Sequence, residues 1–244
     1  MPISAETAIF LDDGGVMNDN TLRGPQWQRL VGEYLSPRLG GNPHGWAEAN
    51  KVVAEGEIKR YEEHDWGTGG LDYLAFREQL DRDWIVGMTE MVGVDTPDRD
   101  GCLKLALETR DFVTRRVRSA YPGAVDAIRQ LHATGYPLYT ASGEDSEVLV
   151  GYLEGLGVRD LFRTLYGPDL VNTAKQVPEY YPRIFEDAGV DPGEAVVVDD
   201  SPGVVAWARE AGATAVLVSA EDEGTGPVIQ SLAALPAFLY SLRV

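Results

Sequence analysis

The spacing of hydrophobic and polar positions changes along the chain, and the change falls near residue 120. Residues 7–12 form a short apolar run that ends at two aspartates and two glycines, which is typical of a buried strand entering a turn. Over residues 18–119 the apolar positions instead recur at helical spacing. This spacing predicts helices at residues 27–35, 46–61, 71–84 and 98–118. Gly-rich sequences separate these segments, at residues 40–43 and 67–70.

After residue 120, short apolar segments alternate with amphipathic ones. The apolar segments predict strands at residues 137–141, 164–166, 195–199 and 214–219. The amphipathic segments predict helices at residues 124–134, 145–157, 178–189 and 204–212, followed by a C-terminal helix. Strands that alternate with helices form parallel βαβ units, so we predict an α/β fold with a doubly wound open parallel sheet. This domain comprises residues 1–17 and 120–244, and a helical domain over residues 18–119 interrupts it after the first strand.

The composition is that of an ordinary globular protein, with 244 residues that are 44% hydrophobic and 25% charged. Lys and Arg number 21 against 39 Asp and Glu, which gives a formal net charge of −18. Such a charge repels nucleic acid and anionic membranes, and an anionic substrate would need a site where cations reverse the local field. The single cysteine, Cys102, has no internal disulfide partner. We expect neither a signal peptide nor a transmembrane helix, and therefore a cytoplasmic protein.

Polar residues follow several predicted strands at the point where each strand ends. They are Asp12 and Asp13 after the first strand, Thr140, Ala141 and Ser142 at the second, and Asp199 and Asp200 at the strand over 195–199. Lys175 precedes the helix that begins near residue 178. In an open parallel sheet these ends share one edge, where ligands bind. A single aspartate there is equally well explained as a turn or helix cap, but clustered carboxylates require a compensating cation and suit Mg²⁺.

Four segments of the chain, taken in order, resemble the motifs of the haloacid dehalogenase-like superfamily. Residues 9–17 resemble its first motif, an apolar strand followed by Asp-x-Asp-Gly. The others are residues 138–142, residues 175–178 followed by Tyr181, and residues 197–202 followed by Ala211-Gly212. The resemblance covers the whole predicted α/β portion, and the helical insertion resembles the family's α-helical cap.

The resemblance implies a metal-dependent nucleophilic reaction at Asp12. In the family this aspartate attacks the substrate and forms a covalent aspartyl intermediate, which divides one difficult step into two. Mg²⁺ would be held by the Asp12 carboxylate, the Gly14 carbonyl and Asp200, with Asp199 as a further ligand or as a group that orients one. The protein would then be a hydrolase, most simply a phosphatase of a small phosphorylated metabolite.

The resemblance also assigns the residues that would bind the phosphoryl group. Thr140, Ala141 and Lys175 occupy the corresponding positions and would hold the oxygens of the transferring group and balance its charge. Lys175 would in addition form an ion pair with Asp12 and keep this nucleophile ionised and oriented.

Gly14 departs from the family pattern. The phosphatases of the family carry a second aspartate at this position, which protonates the leaving oxygen and then activates water. Without it the enzyme could use another acid, such as Asp13 or a cap residue, although strand alternation points Asp13 to the opposite face.

Three other functions are compatible with a glycine at position 14. Phosphonoacetaldehyde hydrolases of the family also lack the second aspartate and cleave a C–P bond through a cap lysine, for which Lys51 and Lys59 are candidates. The dehalogenases lack it too, but they work without metal, and the adjacent Asp199 and Asp200 disfavour that reading. A non-catalytic phosphate-binding or regulatory protein is the third alternative.

Overall fold

Six strands form a parallel sheet in the computed structural model, which describes residues 7–67, 72–221 and 226–242. The strands are β1 (Ala8–Leu11), β2 (Leu138–Ala141), β3 (Phe162–Tyr166), β4 (Ala195–Asp199), β5 (Thr214–Val218) and β6 (Val228–Ile229). Their order in the sheet is β3-β2-β1-β4-β5-β6, and all neighbours are parallel. The chain therefore moves outward from the central β1 in both directions, which confirms the predicted doubly wound fold.

Four helices follow β1 as one group, and the remaining helices are interspersed with the later strands. The four are α1 (Asn20–Leu39), α2 (Pro43–Glu63), α3 (Tyr73–Val92) and α4 (Arg99–Thr114). The others are α5 (Ala124–Ala133), α6 (Ser146–Gly155), α7 (Pro168–Val171), α8 (Tyr180–Ala188), α9 (Pro202–Glu210) and α10 (Leu235–Ser241). No helix among the described residues is long and apolar enough to cross a membrane.

Each face of the sheet is covered by its own apolar layer, because side chains alternate along a strand. In β1, Ile9 and Leu11 belong to the layer that contains α5 and α10 residues, while Phe10 packs on the opposite face against Tyr139 and Phe185. Since both faces are covered, the central strands are apolar throughout, and every residue of β1 and β4 is buried.

The four helices of the insertion enclose a separate apolar cluster that includes Trp46, Trp84 and Met88. The cluster continues into the α/β part of the chain, where Val148 and Tyr152 of α6 belong to it. Because the two parts share this buried layer, the division at residues 17/18 and 119/120 remains a prediction.

The structure differs from the sequence prediction mainly in the positions of element ends. The first helix begins at Asn20, where Asp19 caps it by accepting a 2.8 Å hydrogen bond from the Thr21 N–H. Strand β6 was not predicted, since two residues are too few to produce a pattern. Residues 68–71, which include the predicted start of the third helix, lie outside the described residues, as do residues 1–6, 222–225 and 243–244.

Candidate active site

Asp12 lies immediately beyond the central strand, at the edge where β1, β2 and β4 end together. Its backbone N–H donates to the Val198 carbonyl of β4 over 2.9 Å, and its side chain is buried. Lys175, from the loop before α8, approaches within 2.7 Å of both Asp12 Oδ1 and Asp199 Oδ2. The buried ammonium thus bridges two carboxylates that come from different strands.

Burial and the neighbouring charges shift the pKa values of Asp12 and Lys175 in opposite directions. Burial raises the pKa of the Asp12 carboxyl above its usual range, and the Lys175 ammonium partly offsets the effect. Burial alone would lower the pKa of Lys175, but the Asp12 and Asp199 carboxylates more than compensate and raise it overall. Lys175 is therefore a permanent cation, and the ionised state of Asp12 depends on it.

Asp12, Asp199 and Asp200 each offer a carboxylate oxygen within 4.8 Å of the others, and together they could hold a metal ion. Three hard oxygen donors fit Mg²⁺, which binds through one or two carboxylates and keeps waters. The Asp200 carboxylate lies directly against Gly15, where a side chain would overlap it. Partial burial and the neighbouring Asp199 raise the pKa of Asp200, and the Lys175 ammonium offsets only part of their effect.

Asp13 faces away from this cluster, as the strand alternation predicts. Its carboxylate is fully buried, accepts a 2.7 Å hydrogen bond from Asn18 Nδ2 and forms an ion pair with Arg23. Because both carboxylate oxygens are engaged, Asp13 has a structural role below the site and is not a substitute acid.

The end of β2 differs from the prediction. The Thr140 hydroxyl is fully buried and donates to the Tyr166 carbonyl over 3.1 Å, and neither Thr140 nor Ala141 is among the described residues that line the cleft. Thr140 pairs with Leu11 in the sheet, and partners on adjacent strands share a face, so its side chain turns toward the apolar layer. Ser142 and Gly143, just beyond the strand, line the cleft at this point.

A cleft with a volume of about 460 Å³ opens above Asp12 and extends toward the inserted helices. Its far wall carries polar and apolar side chains that were not predicted from the sequence: Arg23 of α1, Ala54, Glu57, Ile58 and Tyr61 of α2, and Tyr73, Arg77 and Leu80 of α3. Lys51 and Lys59 are exposed and do not occur among the described lining residues, so a cap-lysine mechanism has no lysine at hand.

Gly14 lines the same cleft, and the side chain of Asn20 lies in front of it. A Cβ atom placed on Gly14 would come within 3.0 Å of the Asn20 side-chain amide. The neutral amide of Asn20 thus occupies the space into which a residue-14 side chain would project.

A family model matches most of the chain, whereas two curated relatives each match less than half of it. A family model described as haloacid dehalogenase-like hydrolase matches residues 7–212. The phosphoglycolate phosphatase of Rhodospirillum rubrum is 33% identical over 101 residues, which are 41% of this chain and 42% of the relative. That of Chromobacterium violaceum is 33% identical over 102 residues, 41% of this chain and 45% of the relative. The matches thus span less than half the length of these two relatives.

Solved structures show the same fold at low identity. A defluorinating L-2-haloacid dehalogenase superposes with a TM-score of 0.65 at 16% identity, covering 98% of this chain and 99% of that one. A putative HAD-hydrolase YfnB from Bacillus subtilis bound to magnesium superposes with a TM-score of 0.64 at 17% identity, covering 96% and 98%. Because the family model extends over most of the chain and ends only after the fourth motif, the protein belongs to the haloacid dehalogenase-like hydrolases.

Proposed function

We propose that the protein is a Mg²⁺-dependent phosphatase of small phosphate monoesters, with Asp12 as the nucleophile. One observation carries the proposal: a buried lysine bridges the candidate nucleophile and a second aspartate, with Asp200 beside them in an open cleft. This arrangement favours the ionised form of a buried carboxylate, which can attack an electrophile.

Each residue of the cluster has a defined task in this reaction. An Asp12 carboxylate oxygen attacks phosphorus, the ester P–O bond breaks, and the resulting aspartyl phosphate is hydrolysed by water. Lys175 keeps Asp12 ionised and balances charge on the phosphoryl oxygens. The Ser142 hydroxyl, which lines the cleft, takes the phosphate-binding task that the sequence assigned to Thr140. Asp12, Asp200, the Gly14 carbonyl and Asp199 would hold Mg²⁺, which supplies the positive charge that offsets the phosphoryl group.

The size of the cleft supports a small substrate. A volume of about 460 Å³ is near the lower end of the ~300–1,000 Å³ range of small-molecule pockets. Lys175, Arg23 and Arg77 line it together with six carboxylates, so an anionic substrate would also need the positive charge of a bound Mg²⁺. The curated relatives named phosphoglycolate phosphatase point in the same direction, so phosphoglycolate is the first ester to test.

Activity should be measured on phosphoglycolate and p-nitrophenyl phosphate, with Mg²⁺ and with a chelator. We expect turnover that requires the metal and disappears in Asp12→Asn, whose amide keeps the shape of the side chain but cannot attack. Asp126→Asn, an exposed change on α5, controls for the loss of one charge.

Two results would redirect the assignment. Undiminished hydrolysis by Asp12→Asn would place the nucleophile elsewhere. Calorimetric phosphate binding without turnover of any ester would instead favour a phosphate-binding protein, the alternative that Gly14 suggests.

A further inference from the structure

Glu57 has one carboxyl oxygen without a hydrogen-bond partner at the cleft. It lies on α2, lines the cleft that contains Asp12, and its Oε1 is buried without a hydrogen-bond partner among the described residues. A buried polar atom left without a partner costs ~1–3 kcal/mol, so such atoms in native proteins call for an explanation. A carboxyl group that faces a cleft has such an explanation, because a bound substrate can supply the missing partner.

Tyr61 lies one helical turn after Glu57. Residues 57 and 61 are four apart and share one face of α2. The Tyr61 side chain also lines the cleft, and its hydroxyl has the Lys175 backbone as a hydrogen-bond partner. One face of α2 therefore meets the cleft, and it joins the loop that carries Lys175.

The cations around Glu57 are already engaged by other carboxylates. Arg77 of α3 lies 2.8 Å from Asp145, and Arg110 of α4 forms an ion pair with Asp81. On α2 itself, Arg60 lies 2.7 Å from Asp83. Glu57 thus has no cation of its own within ion-pair distance among the described residues.

Burial is consequently the dominant influence on the pKa of Glu57. Arg110, Arg77 and Arg60 favour its ionised form and Asp81 opposes it, but burial outweighs them and raises the pKa of Glu57 to about 7. A carboxyl group in this range carries its proton in a substantial fraction of molecules at neutral pH and can both give and take it.

The first motif provides no proton of its own. Gly14 has no side chain, the Asn20 amide in front of it does not ionise, and Asp13 is engaged on the opposite face. A phosphate ester with a basic leaving oxygen still needs a proton when its P–O bond breaks.

We propose that Glu57 is the general acid and base of the reaction and so replaces, from the inserted helices, the carboxyl group absent at Gly14. This inference rests on the proposed phosphatase function. As Asp12 attacks phosphorus, the ester P–O bond breaks, its electron pair passes to the leaving oxygen, and the Glu57 proton converts that oxygen to an alcohol. The Glu57 carboxylate then takes a proton from the water that attacks the aspartyl phosphate. That step releases phosphate and the Asp12 carboxylate and returns the proton to Glu57.

The test compares leaving groups of different basicity in Glu57→Gln, which keeps shape and removes the acid. On glycerol 3-phosphate, an alkyl ester, we expect kcat/KM to fall ~10²–10⁴-fold, the usual contribution of general acid–base catalysis. On p-nitrophenyl phosphate, whose leaving oxygen scarcely needs a proton, we expect kcat/KM to change little, while loss of the base in the later water attack lowers kcat alone. The decline of alkyl-ester turnover above pH ~7 in the wild type should also disappear. Glu55→Gln, an exposed change on the same helix, should match the wild type in all three measurements.

A second variant distinguishes loss of the acidic group from damage to the structure. Glu57→Asp keeps the proton at shorter reach and should retain more alkyl-ester activity than Glu57→Gln, with thermal unfolding recorded for both. Equal losses on both esters, or an unchanged alkyl-ester rate and pH profile, would overturn the assignment of Glu57. Absence of any Asp12-dependent p-nitrophenyl phosphate hydrolysis in the wild type would overturn the proposed function itself, and with it this inference.

Discussion

Gly15 determines whether Asp200 can face the candidate metal site. Its φ is +80°, in the left-handed region that L-residues adopt only at a cost of ~1–2 kcal/mol. A Cβ atom at this position would lie 3.1 Å from Asp200 Cβ and closer still to Asp200 Cγ and Oδ2. Non-bonded carbons attract at ~3.5–4.0 Å, so an alanine would force the Asp200 carboxylate out of its place.

Gly15→Ala should therefore impair metal binding more than folding. Changes to groups that merely orient a metal ligand typically cost ~10–100-fold in affinity, and displacing a ligand should weaken Mg²⁺ binding by at least this factor. The backbone cost of ~1–2 kcal/mol corresponds to a fall in Tm of ~2–8 °C for a chain of this length. Turnover at saturating Mg²⁺ should fall as well, because the carboxylate is displaced whether or not metal is present.

Calorimetric titration with Mg²⁺ and thermal unfolding separate these two effects. Gly157→Ala is the matched control, since Gly157 has a φ of +68° and open space around its Cα. It should show a similar loss of Tm and an unchanged Mg²⁺ affinity. Wild-type Mg²⁺ affinity in Gly15→Ala, or an equal loss in Gly157→Ala, would refute the argument that the contact with Asp200 organises the site.

Two further predictions concern the ammonium and the missing carboxyl. Lys175→Met should raise the pKa of Asp12 further, because the cation that opposes the effect of burial is gone. The acid limb of the pH–rate profile should therefore shift to higher pH, and an unshifted limb would contradict this. Gly14→Asp combined with Asn20→Ala, which clears the space in front of residue 14, should raise turnover of alkyl more than aryl phosphates, and equal changes for both ester classes would count against it.

The acidic cluster could be predicted because the ends of buried strands can be recognised in the sequence. An apolar run that stops at an aspartate locates the end of a buried strand, and parallel strands of a doubly wound sheet end at one edge. This reasoning brings Asp12, Asp199 and Asp200 together without knowledge of strand order. Lys175 lies on a loop before a predicted helix, and its ion pair with Asp12 was expected only from its place in a resembling motif.

Thr140 shows where that reasoning ends. Residues two apart on a strand share a face, so alternation alone does not distinguish them. The sequence Leu-Tyr-Thr-Ala-Ser offers hydroxyl groups at positions 140 and 142, and the apolar pattern does not decide which one lies past the strand end. The pairing of Thr140 with Leu11 decides it, and this register depends on the packing of the whole sheet.

The residues of the far wall could not be predicted for a different reason. Glu57 and Tyr61 lie in the second half of α2, whereas the buried residues of this helix, Trp46, Ala49 and Asn50, all lie in its first half, so the spacing did not reveal which face meets the cleft. Their position depends on how α2 packs against α1 and α3 and how these helices sit over the sheet, which involves contacts between distant parts of the sequence.

The point of insertion explains why helix residues can take part in chemistry at the sheet. The inserted helices leave the α/β domain directly after β1, within a few residues of Asp12, and return to it before α5. Their connection to the nucleophile is therefore short, and any closing movement of α2 would bring its polar face toward Asp12 itself. A carboxyl group supplied from α2 would be in place only when the helices cover the substrate, whereas one at residue 14 would be permanently in place. Proton transfer to the leaving oxygen would then be coupled to cleft closure, which would keep bulk water away from the phosphoryl group until Asp12 has attacked it.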